Sequence, residues 1–377
     1  MKIFNIGTGI ILLIISSCTT NESGFKSAIV ETKEHIEIDS LKLDYIKLES
    51  ISTSSFGESL ILPNNKIAFI DKHFCRVSVF DSIGKFQQNY LGLGGAPNET
   101  QIGRIAAQTL LSDGRLILFG YNLNFHIFKN FINDKIFILN RTCTNHTIDG
   151  SSETYTNQYG DMVCRSYKNK IYFNIYSEHP QFNYLDHTDK YLKKCRHIWE
   201  IDIDKQKDTR LLAEGYPESY SKEPKKNVIF MGTCYDIDNN GNFYICYDTD
   251  PYIYVYNNDF FPQKAYGIMG KDMDTNYLYI DNYKECKRNY RSERNKKGYY
   301  YWIEYIDETG ILFRSYKKKF ESQDGLQIYK NGVLIADVKV PKGFKVMGYI
   351  APYYYSYIIP LLDENDDSLI MYRFKIS

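Results

Sequence analysis

The sequence lacks an excess of charge of either sign, because 46 lysine and arginine residues balance 46 aspartate and glutamate residues in a chain of 377. A chain without net charge has no overall field that would draw it to a polyanion, so we expect no nucleic-acid partner. The sequence also lacks the GxSxG motif of serine hydrolases and the HExxH and HxH spacings of zinc sites. It therefore predicts no catalytic residue, no metal ligand and no cofactor, although distant side chains could still converge in the fold.

Cysteine pairing is limited as well. Apart from Cys18, which is considered next, seven cysteines remain: Cys75, Cys143, Cys164, Cys195, Cys234, Cys246 and Cys286. An odd number cannot all pair, and no two of them have CxxC spacing. Several lie in apolar runs that read as strands, so we predict mainly buried thiols and leave one isolated disulfide open.

The first 18 residues have the pattern of a secretory signal. Lys2 precedes an apolar stretch over residues 3–15, which is shorter than the roughly 20 apolar residues that span a bilayer. The stretch ends in Ile15-Ser16-Ser17-Cys18, which resembles the lipobox of bacterial lipoproteins. The resemblance implies cleavage after residue 17 and acylation of Cys18, for example with palmitate. The alternatives are an ordinary signal peptide with a chance cysteine, or an N-terminal membrane anchor.

A lipobox also implies a cellular location. The mature chain would reach the membrane through the lipid on Cys18, and residues 18–35 would form a tether that begins with a polar, flexible stretch. We therefore expect an outer membrane lipoprotein on the periplasmic or cell-surface side.

One short pattern recurs six times along the rest of the chain. It reads apolar, any residue, apolar, apolar or aromatic, then polar, and its central residues are Val79, Ile127, Glu200, Val255, Ile328 and Met371. Glu200 is the imperfect copy, because a charged residue stands where an apolar one is expected. The uneven spacing of the copies indicates insertions, mainly between the second and third copies and between the fourth and fifth.

Turn signals precede most copies of the pattern. Asn64-Asn65, Asp113-Gly114 and Asn240-Gly241 lie between apolar runs, and such pairs favour hairpins because they tolerate positive φ. A unit of about four antiparallel strands over roughly 50 residues has the size of a propeller blade. The sequence predicts an all-β, six-bladed β-propeller of four-stranded antiparallel blades, as a single domain over residues 36–377. It shows no long amphipathic helix with caps.

A family resemblance supports this fold. The strand and turn over residues 77–86, followed by a glycine-rich loop containing Pro97-Asn98-Glu99, resemble the six-bladed, TolB-like and NHL-like propeller lipoproteins of Gram-negative gut anaerobes. Ala96 stands where glycine is commoner in that group. Most members have no assigned activity, so the resemblance implies a fold and an address more than a function.

Four further segments have both a functional and a structural interpretation. Residues 92–99 suggest a phosphate-binding loop, but the helix that such a loop needs does not follow them, which favours a connection between blades. Residues 236–241 match the first half of a calcium-binding loop, but the same residue types also favour a hairpin turn. Residues 284–297, with seven basic residues in fourteen, precede the aromatic run of residues 299–302; together they suit an anionic glycan or a phosphate-bearing partner, or else form a solvated loop beside a strand. The aromatic run of residues 351–357 has the same ambiguity.

Two function classes remain open. The first is a non-catalytic binding module for a protein, peptide or glycan at the cell envelope, which the tether, the 35 tyrosines and the lack of catalytic motifs favour. The second is a propeller hydrolase or lyase acting on a sugar or lactone. The side chains at the mouth of the channel should distinguish them.

The ends of the chain carry one topological prediction. A propeller is a closed ring, and many close it by building one blade from both termini. Residues 36–43 alternate weakly like a strand and residues 368–376 still read as a strand. We therefore predict that residues between about 36 and 50 pair with the C-terminal blade; the alternative is an extended linker.

Overall fold

The structure is a computed structural model of the chain. It describes residues 24–139, 162–177, 181–186, 188–320, 323–360 and 369–376, together with 147–148, 151–152, 155–157 and 179. Cys18, Cys143 and the predicted signal peptide lie outside the described residues. Within the described part of the chain, no helix is both long and apolar enough to cross a membrane.

Six antiparallel sheets follow one another along the chain and form a six-bladed β-propeller, as the repeat predicted. The first strands of neighbouring blades contact one another around the central channel. The strands, in order from the channel outward, are Gly57–Ile61, Ile67–Asp71, Arg76–Phe80 and Phe86–Leu91 in blade 1; Ile105–Leu110, Leu116–Gly120, Asn124–Lys129 and Ile132–Ile138 in blade 2; Cys164–Tyr167, Lys170–Ser177, Arg196–Asp202 and Lys207–Glu214 in blade 3; Thr233–Ile237, Phe243–Tyr247, Ile253–Tyr256 and Pro262–Tyr266 in blade 4; Tyr299–Ile306, Ile311–Lys317, Gln323–Lys330 and Val333–Pro341 in blade 5; and Val346–Ile350, Tyr353–Ser356, Leu369–Phe374 and Asp44–Lys47 in blade 6.

Shorter elements decorate the blades. Tyr155–Asn157 adds to blade 3, Ile359–Pro360 adds to blade 6, and Thr147–Ile148 pairs with Ser151–Ser152 as a separate hairpin. The helices are α1 (Thr188–Lys194), α2 (Glu218–Lys222), α3 (Pro224–Asn227) and α4 (Tyr283–Lys296).

The predicted repeat register is confirmed. Each of the six central residues lies in the third strand of a different blade: Val79, Ile127, Glu200, Val255, Ile328 and Met371 in blades 1 to 6 in that order. All six are buried. The third strand is paired with a strand on each side and is covered by the neighbouring blades, which explains why its pattern is apolar.

Glu200 keeps the register although it is charged. Its side chain is fully buried, with Lys170 Nζ 2.7 Å from Oε1, Arg210 paired to Oε2, and Thr209 donating a hydrogen bond. Burial opposes ionisation, but hydrogen bonds from Arg210, Lys170 and Thr209 outweigh it and lower the pKa of Glu200 to about 2. An ionised glutamate occupies an apolar position because three donors from its own blade satisfy it.

Both termini build blade 6, as predicted. Asp44–Lys47 forms its fourth strand and pairs antiparallel with Leu369–Phe374, with Asp44 opposite Arg373 and Lys47 opposite Ile370. The N-terminal strand thus closes the ring without a covalent link. Core residues of blades 6 and 1 then pack in one cluster, which includes Ile46 and Phe80.

The strand that precedes Asp44–Lys47 in the sequence belongs to a different blade. Lys33–Ile38 pairs parallel with Val333–Pro341 and forms an outer fifth strand of blade 5. The prediction that pairing with the last blade begins near residue 36 is therefore wrong for residues 36–38 and correct for 44–47. Upstream of this strand, Tyr256 donates a hydrogen bond to Lys26 O, and Phe25 packs against Tyr247 and Tyr254, so residues 25 and 26 lie against blade 4.

The expectation of no long capped helix is also wrong, because α4 has 14 residues. The Asn282 side chain, at the N-cap, accepts a hydrogen bond from Glu285 N at 3.1 Å, and the Glu285 side chain accepts one from Asp281 N, just before the cap, at 2.9 Å. Only Cys286 and Glu293 of α4 are buried. A helix this charged has little apolar periodicity to reveal it.

The other structural interpretations hold. Residues 92–99 connect blade 1 to blade 2, and Asp238 accepts hydrogen bonds from the backbone of Asn240 and Asn242 in a tight turn. The six described cysteines are free thiols, five of them buried. Across blade 4, Cys234 Sγ and Cys246 Sγ are 3.0 Å apart, which is longer than the roughly 2.05 Å of a disulfide bond.

Candidate binding site at the channel mouth

The first strands of five blades each contribute one polar side chain to the channel: Glu58, Gln108, Arg165, Asp236 and Glu304. These residues do not form a single cluster. They divide into a group centred on Arg165 and a group centred on Glu58.

Arg165 is the centre of the first group, with 14% of its side chain exposed. Its Nε lies 3.1 Å from Asp236 Oδ1, its Nη2 lies 2.7 Å from Glu304 Oε2, and its guanidinium lies 4.8 Å from the centre of the Trp302 ring. Burial raises the pKa of Glu304 to about 8 and raises that of Asp236, against the opposing pull of Arg165. One cation thus joins the first strands of blades 3, 4 and 5.

The second group joins blades 1 and 2. Lys72 Nζ lies 2.7 Å from Glu58 Oε1, and Gln108 donates a hydrogen bond to Glu58 Oε2. Burial opposes ionisation of Glu58, but the charge and hydrogen bond of Lys72 outweigh it and lower the pKa of this carboxyl. Each channel carboxylate is therefore held by a basic partner.

A cavity of about 240 Å³ opens at the end of the channel where the first strands begin. Its aromatic wall consists of Tyr176, Tyr290, Tyr299, Tyr301 and Trp302. Its charged lining consists of Glu58, Asp248, Arg294, Lys317, Asp324, Lys342 and Lys345. The volume lies just below the roughly 300–1,000 Å³ of drug-sized ligand sites, so it suits one small unit or the end of a longer ligand.

Helix α4 supplies one side of the cavity through Arg294. Its Nη1 lies 2.6 Å from Asp248 Oδ2 and 3.3 Å from Ile229 O, and its guanidinium stacks 4.0 Å from the centre of the Tyr299 ring. The close approach of Asp248 requires glycine at position 232, because a Cβ there would lie 2.4 Å from Asp248 Oδ1. Arg294 is therefore fixed in place before any ligand arrives.

The opposite side is equally rigid. Trp302 donates from Nε1 to Val346 O at 2.8 Å, and Lys345 Nζ lies 4.8 Å from the centre of its ring. Tyr301 donates its hydroxyl to Asp324 Oδ2 at 3.0 Å, and Gly343 N donates to the same oxygen at 2.8 Å. The aromatic faces are thus set by hydrogen bonds at their edges.

Two charged side chains of the lining each have a polar atom that no described residue contacts by a hydrogen bond or ion pair. Lys317, at the end of the second strand of blade 5, is 7% exposed, and no described residue forms an ion pair or hydrogen bond with it. Asp324 is 3% exposed, and among the described residues its Oδ1 has no hydrogen-bond partner. Burial and the nearby charge of Lys342 lower the pKa of Lys317, against the opposing effect of the Asp324 carboxylate.

Sequence reasoning found part of this site. The basic segment of residues 284–297 supplies Tyr290 and Arg294, and the aromatic run after it supplies Tyr299, Tyr301 and Trp302. Both interpretations of the sequence took this segment to be a loop, whereas it forms helix α4. The second aromatic run, residues 351–357, lies in blade 6 and does not line the cavity, although Tyr357 packs edge-on against Trp302.

The remaining lining residues were not predicted. Asp248, Lys317, Asp324 and Lys342 belong to no short motif, and only the fold brings them together. Cys18, the predicted lipidation site, lies outside the described residues. Among the described residues, no histidine lines the cavity, and no group of three or more His, Cys, Asp or Glu side chains could hold a metal ion.

Two solved structures from Bacteroides share this architecture. A member of the DUF4221 family from Bacteroides vulgatus matches with a TM-score of 0.63 at 11% identity, covering 92% of this chain and 99% of that one. A protein of Bacteroides fragilis, named as an exported one, matches with a TM-score of 0.54 at 13% identity, covering 93% and 100%. At such low identity the likeness shows the fold alone.

A third match is more distant. Virginiamycin B lyase from Staphylococcus aureus gives a TM-score of 0.45 at 11% identity, covering 90% of this chain and 100% of that one, which is too remote to bear on activity. No protein-family model and no curated protein matches the sequence. The chain is thus a six-bladed β-propeller that shares its fold with two Bacteroides proteins, and the resemblance drawn from residues 77–99 is confirmed as a likeness of fold.

Proposed function

We propose that the protein is a lipid-anchored binding protein of the cell envelope that takes a glycan in the channel-mouth cavity. The observation that carries the proposal is the wall of four tyrosines and one tryptophan around a small polar cavity. Such rings offer flat apolar faces to sugar rings and polar edges to their hydroxyls. Arg294, Trp302 and Tyr301 are fixed by their own hydrogen bonds, so a ligand meets a preformed surface.

Binding is favoured over the hydrolase or lyase alternative by the state of the carboxylates. Glu58, Asp236, Asp248 and Glu304 are each paired with Lys72, Arg165 or Arg294. Despite burial, the charge and hydrogen bond of Lys72 lower the pKa of Glu58, which makes this carboxylate a poor general base. Asp236 and Glu304, whose pKa values are raised, do not line the cavity. These carboxylates therefore serve to fix the walls of the site.

The binding proposal predicts a loss of affinity on removing a ring from the cavity wall. Tyr290 lies on α4, lines the cavity and is 42% exposed, so Tyr290→Ala removes contact area without opening the core. An aromatic contact is worth about 0.5–1.5 kcal/mol, so we expect affinity to fall by up to about tenfold. The measurement is titration calorimetry with the oligosaccharide that the purified chain retains best on an array of immobilised saccharides and peptides.

Tyr283→Ala is the matched control. Tyr283 lies on the same helix, is 58% exposed and does not line the cavity, so its loss should leave affinity unchanged. Retention of peptides but no saccharide would overturn the proposal, as would equal affinities for wild type and Tyr290→Ala.

The anchoring half of the proposal rests on Ile15-Ser16-Ser17-Cys18. Cys18→Ser removes the thiol that would accept the lipid, so the protein should move from the membrane fraction to the soluble fraction and lose acyl labelling. Fractionation and metabolic labelling with an alkyne fatty acid measure both effects. Ser17→Ala keeps the small residue before the cysteine and should behave like wild type. A wild-type protein without acyl label contradicts the anchoring claim.

A further inference from the structure

We infer that the cavity recognises an acidic saccharide, whose carboxylate or sulfate group pairs with Lys317 and whose neighbouring hydroxyl donates to Asp324 Oδ1. This inference rests on the proposed glycan-binding function and names the class of glycan.

The charge balance of the cavity supports an anionic ligand. With Lys72, which is ion-paired to Glu58, five basic side chains (Lys72, Arg294, Lys317, Lys342 and Lys345) face three acidic ones (Glu58, Asp248 and Asp324). Two of the acidic groups are already paired, Glu58 with Lys72 and Asp248 with Arg294. The cations without an ion pair among the described residues are Lys317, Lys342 and Lys345, which all belong to blade 5 or to the segment that joins it to blade 6.

Lys317 is the most informative of the three. Burying an ammonium group without a counter-charge is unfavourable, and a lysine is rarely more than nine-tenths buried unless it is paired. Lys317 is 7% exposed and lines the cavity, and no described residue forms an ion pair or hydrogen bond with it, although the charge of Asp324 acts on it from nearby. A ligand anion in the cavity would supply the missing partner.

Asp324 adds a second requirement. Its Oδ2 accepts hydrogen bonds from Tyr301 and Gly343, whereas its Oδ1 is buried and no described residue donates to it. A ligand that satisfies this oxygen must carry a hydrogen-bond donor beside its anionic group. A sugar acid or sugar sulfate has both, because ring hydroxyls flank the carboxylate or sulfate ester.

The experiment compares matched acidic and neutral saccharides by titration calorimetry on the full-length chain with its signal peptide removed. One pair is trigalacturonate and its methyl ester, and the other is a κ-carrageenan oligosaccharide and its desulfated form. We expect the wild-type protein to bind at least one acidic member at least tenfold more tightly than its neutral counterpart. The preference should weaken in higher salt, since the cavity is open to solvent.

Three variants then test the assignment to residues. Lys317→Met keeps the length and apolar stem of the side chain, so it should abolish the preference for the acidic member without lowering the melting temperature. Lys342→Ala changes an exposed residue and should reduce the preference severalfold even if Lys317→Met were to fold poorly. Lys330→Met is the control, because Lys330 is exposed in the next strand of blade 5 and does not line the cavity.

The outcomes separate the two proposals. If the wild-type protein binds acidic and neutral saccharides equally, the acidic-ligand inference is wrong and the glycan-binding function stands. If it binds neither pair nor any other saccharide, the proposed function itself fails. An acidic preference that survives both Lys317→Met and Lys342→Ala would overturn the assignment of the anionic group to these lysines.

Discussion

Deletion of residues 368–377 should unfold the whole domain rather than loosen one blade. The deleted stretch contains the third strand of blade 6, which pairs on one side with Tyr353–Ser356 and on the other with Asp44–Lys47. Its Leu369, Ile370, Met371 and Phe374 are buried. Each such side chain contributes about 1.5–3 kcal/mol on burial, and together they approach the roughly 5–15 kcal/mol that stabilises a typical domain.

The closed topology of the ring makes the loss of stability larger than these four side chains alone would cause. Without its third strand, blade 6 cannot hold Asp44–Lys47, so the ring opens and exposes strand edges and the packing between blades 6 and 1. We expect little soluble protein and no cooperative melting transition by circular dichroism. A soluble, cooperatively melting truncated chain would contradict this account of ring closure.

A pair of substitutions within the closing strand checks the same idea without shortening the chain. Ile46 is 7% exposed and Tyr45 is 67% exposed, so they lie on opposite faces of Asp44–Lys47. Ile46→Asp puts an unpaired charge into the cluster shared by blades 6 and 1, and should lower the melting temperature markedly. Tyr45→Asp adds the same charge on the solvent side and should leave it nearly unchanged.

The blades were predictable because their signals are local. A hairpin turn and an apolar third strand lie within about 20 residues of each other, so the sequence shows them in order. Glu200 tests the limit of this reasoning, since its charge contradicts the pattern and only its contacts with Lys170, Thr209 and Arg210 explain why the strand persists. Those donors come from neighbouring strands of the same blade, and no spacing in the sequence identifies them.

Non-local features were missed for the same reason. Lys33–Ile38 pairs with a strand almost 300 residues later, and its residues are mostly exposed, so it leaves no buried pattern to recognise. Helix α4 was not predicted because its many charged residues leave little apolar periodicity in the sequence. Of the cavity, the segment with Tyr290 and Arg294 stood out by composition, whereas Lys317 and Asp324 are single residues in ordinary strands. Their role depends on which polar contacts the folded chain leaves unmade around them, and the sequence alone does not show this.

Replacement of Arg165 by methionine is the second change from which we expect a large effect. The variant keeps an unbranched apolar stem but leaves Asp236 and Glu304, which are 5% and 7% exposed, without their shared cation. Removing one partner of a buried ion pair typically costs about 3–5 kcal/mol, because the remaining charge is uncompensated. We expect the free energy of unfolding at pH 8 to fall by about that amount in urea titrations.

The loss should also depend on pH, with a sign that identifies its cause. The pKa of Glu304 is already raised to about 8 in the folded protein, above its ordinary value of 4.5, so this group favours folding most below pH 4.5 and loses that contribution as pH rises toward 8. Without Arg165 the pKa values of both carboxyls rise further. The destabilisation by Arg165→Met should therefore be smaller at pH 5, where the carboxyls can stay protonated, and larger at pH 8.

Arg115→Met is the control, because its partners Asp113 and Asp204 are more than half exposed and such surface pairs contribute about 0–1 kcal/mol. If both variants lose the same small amount, or if the Arg165 variant loses more at pH 5 than at pH 8, the buried network does not act as the link between blades 3, 4 and 5.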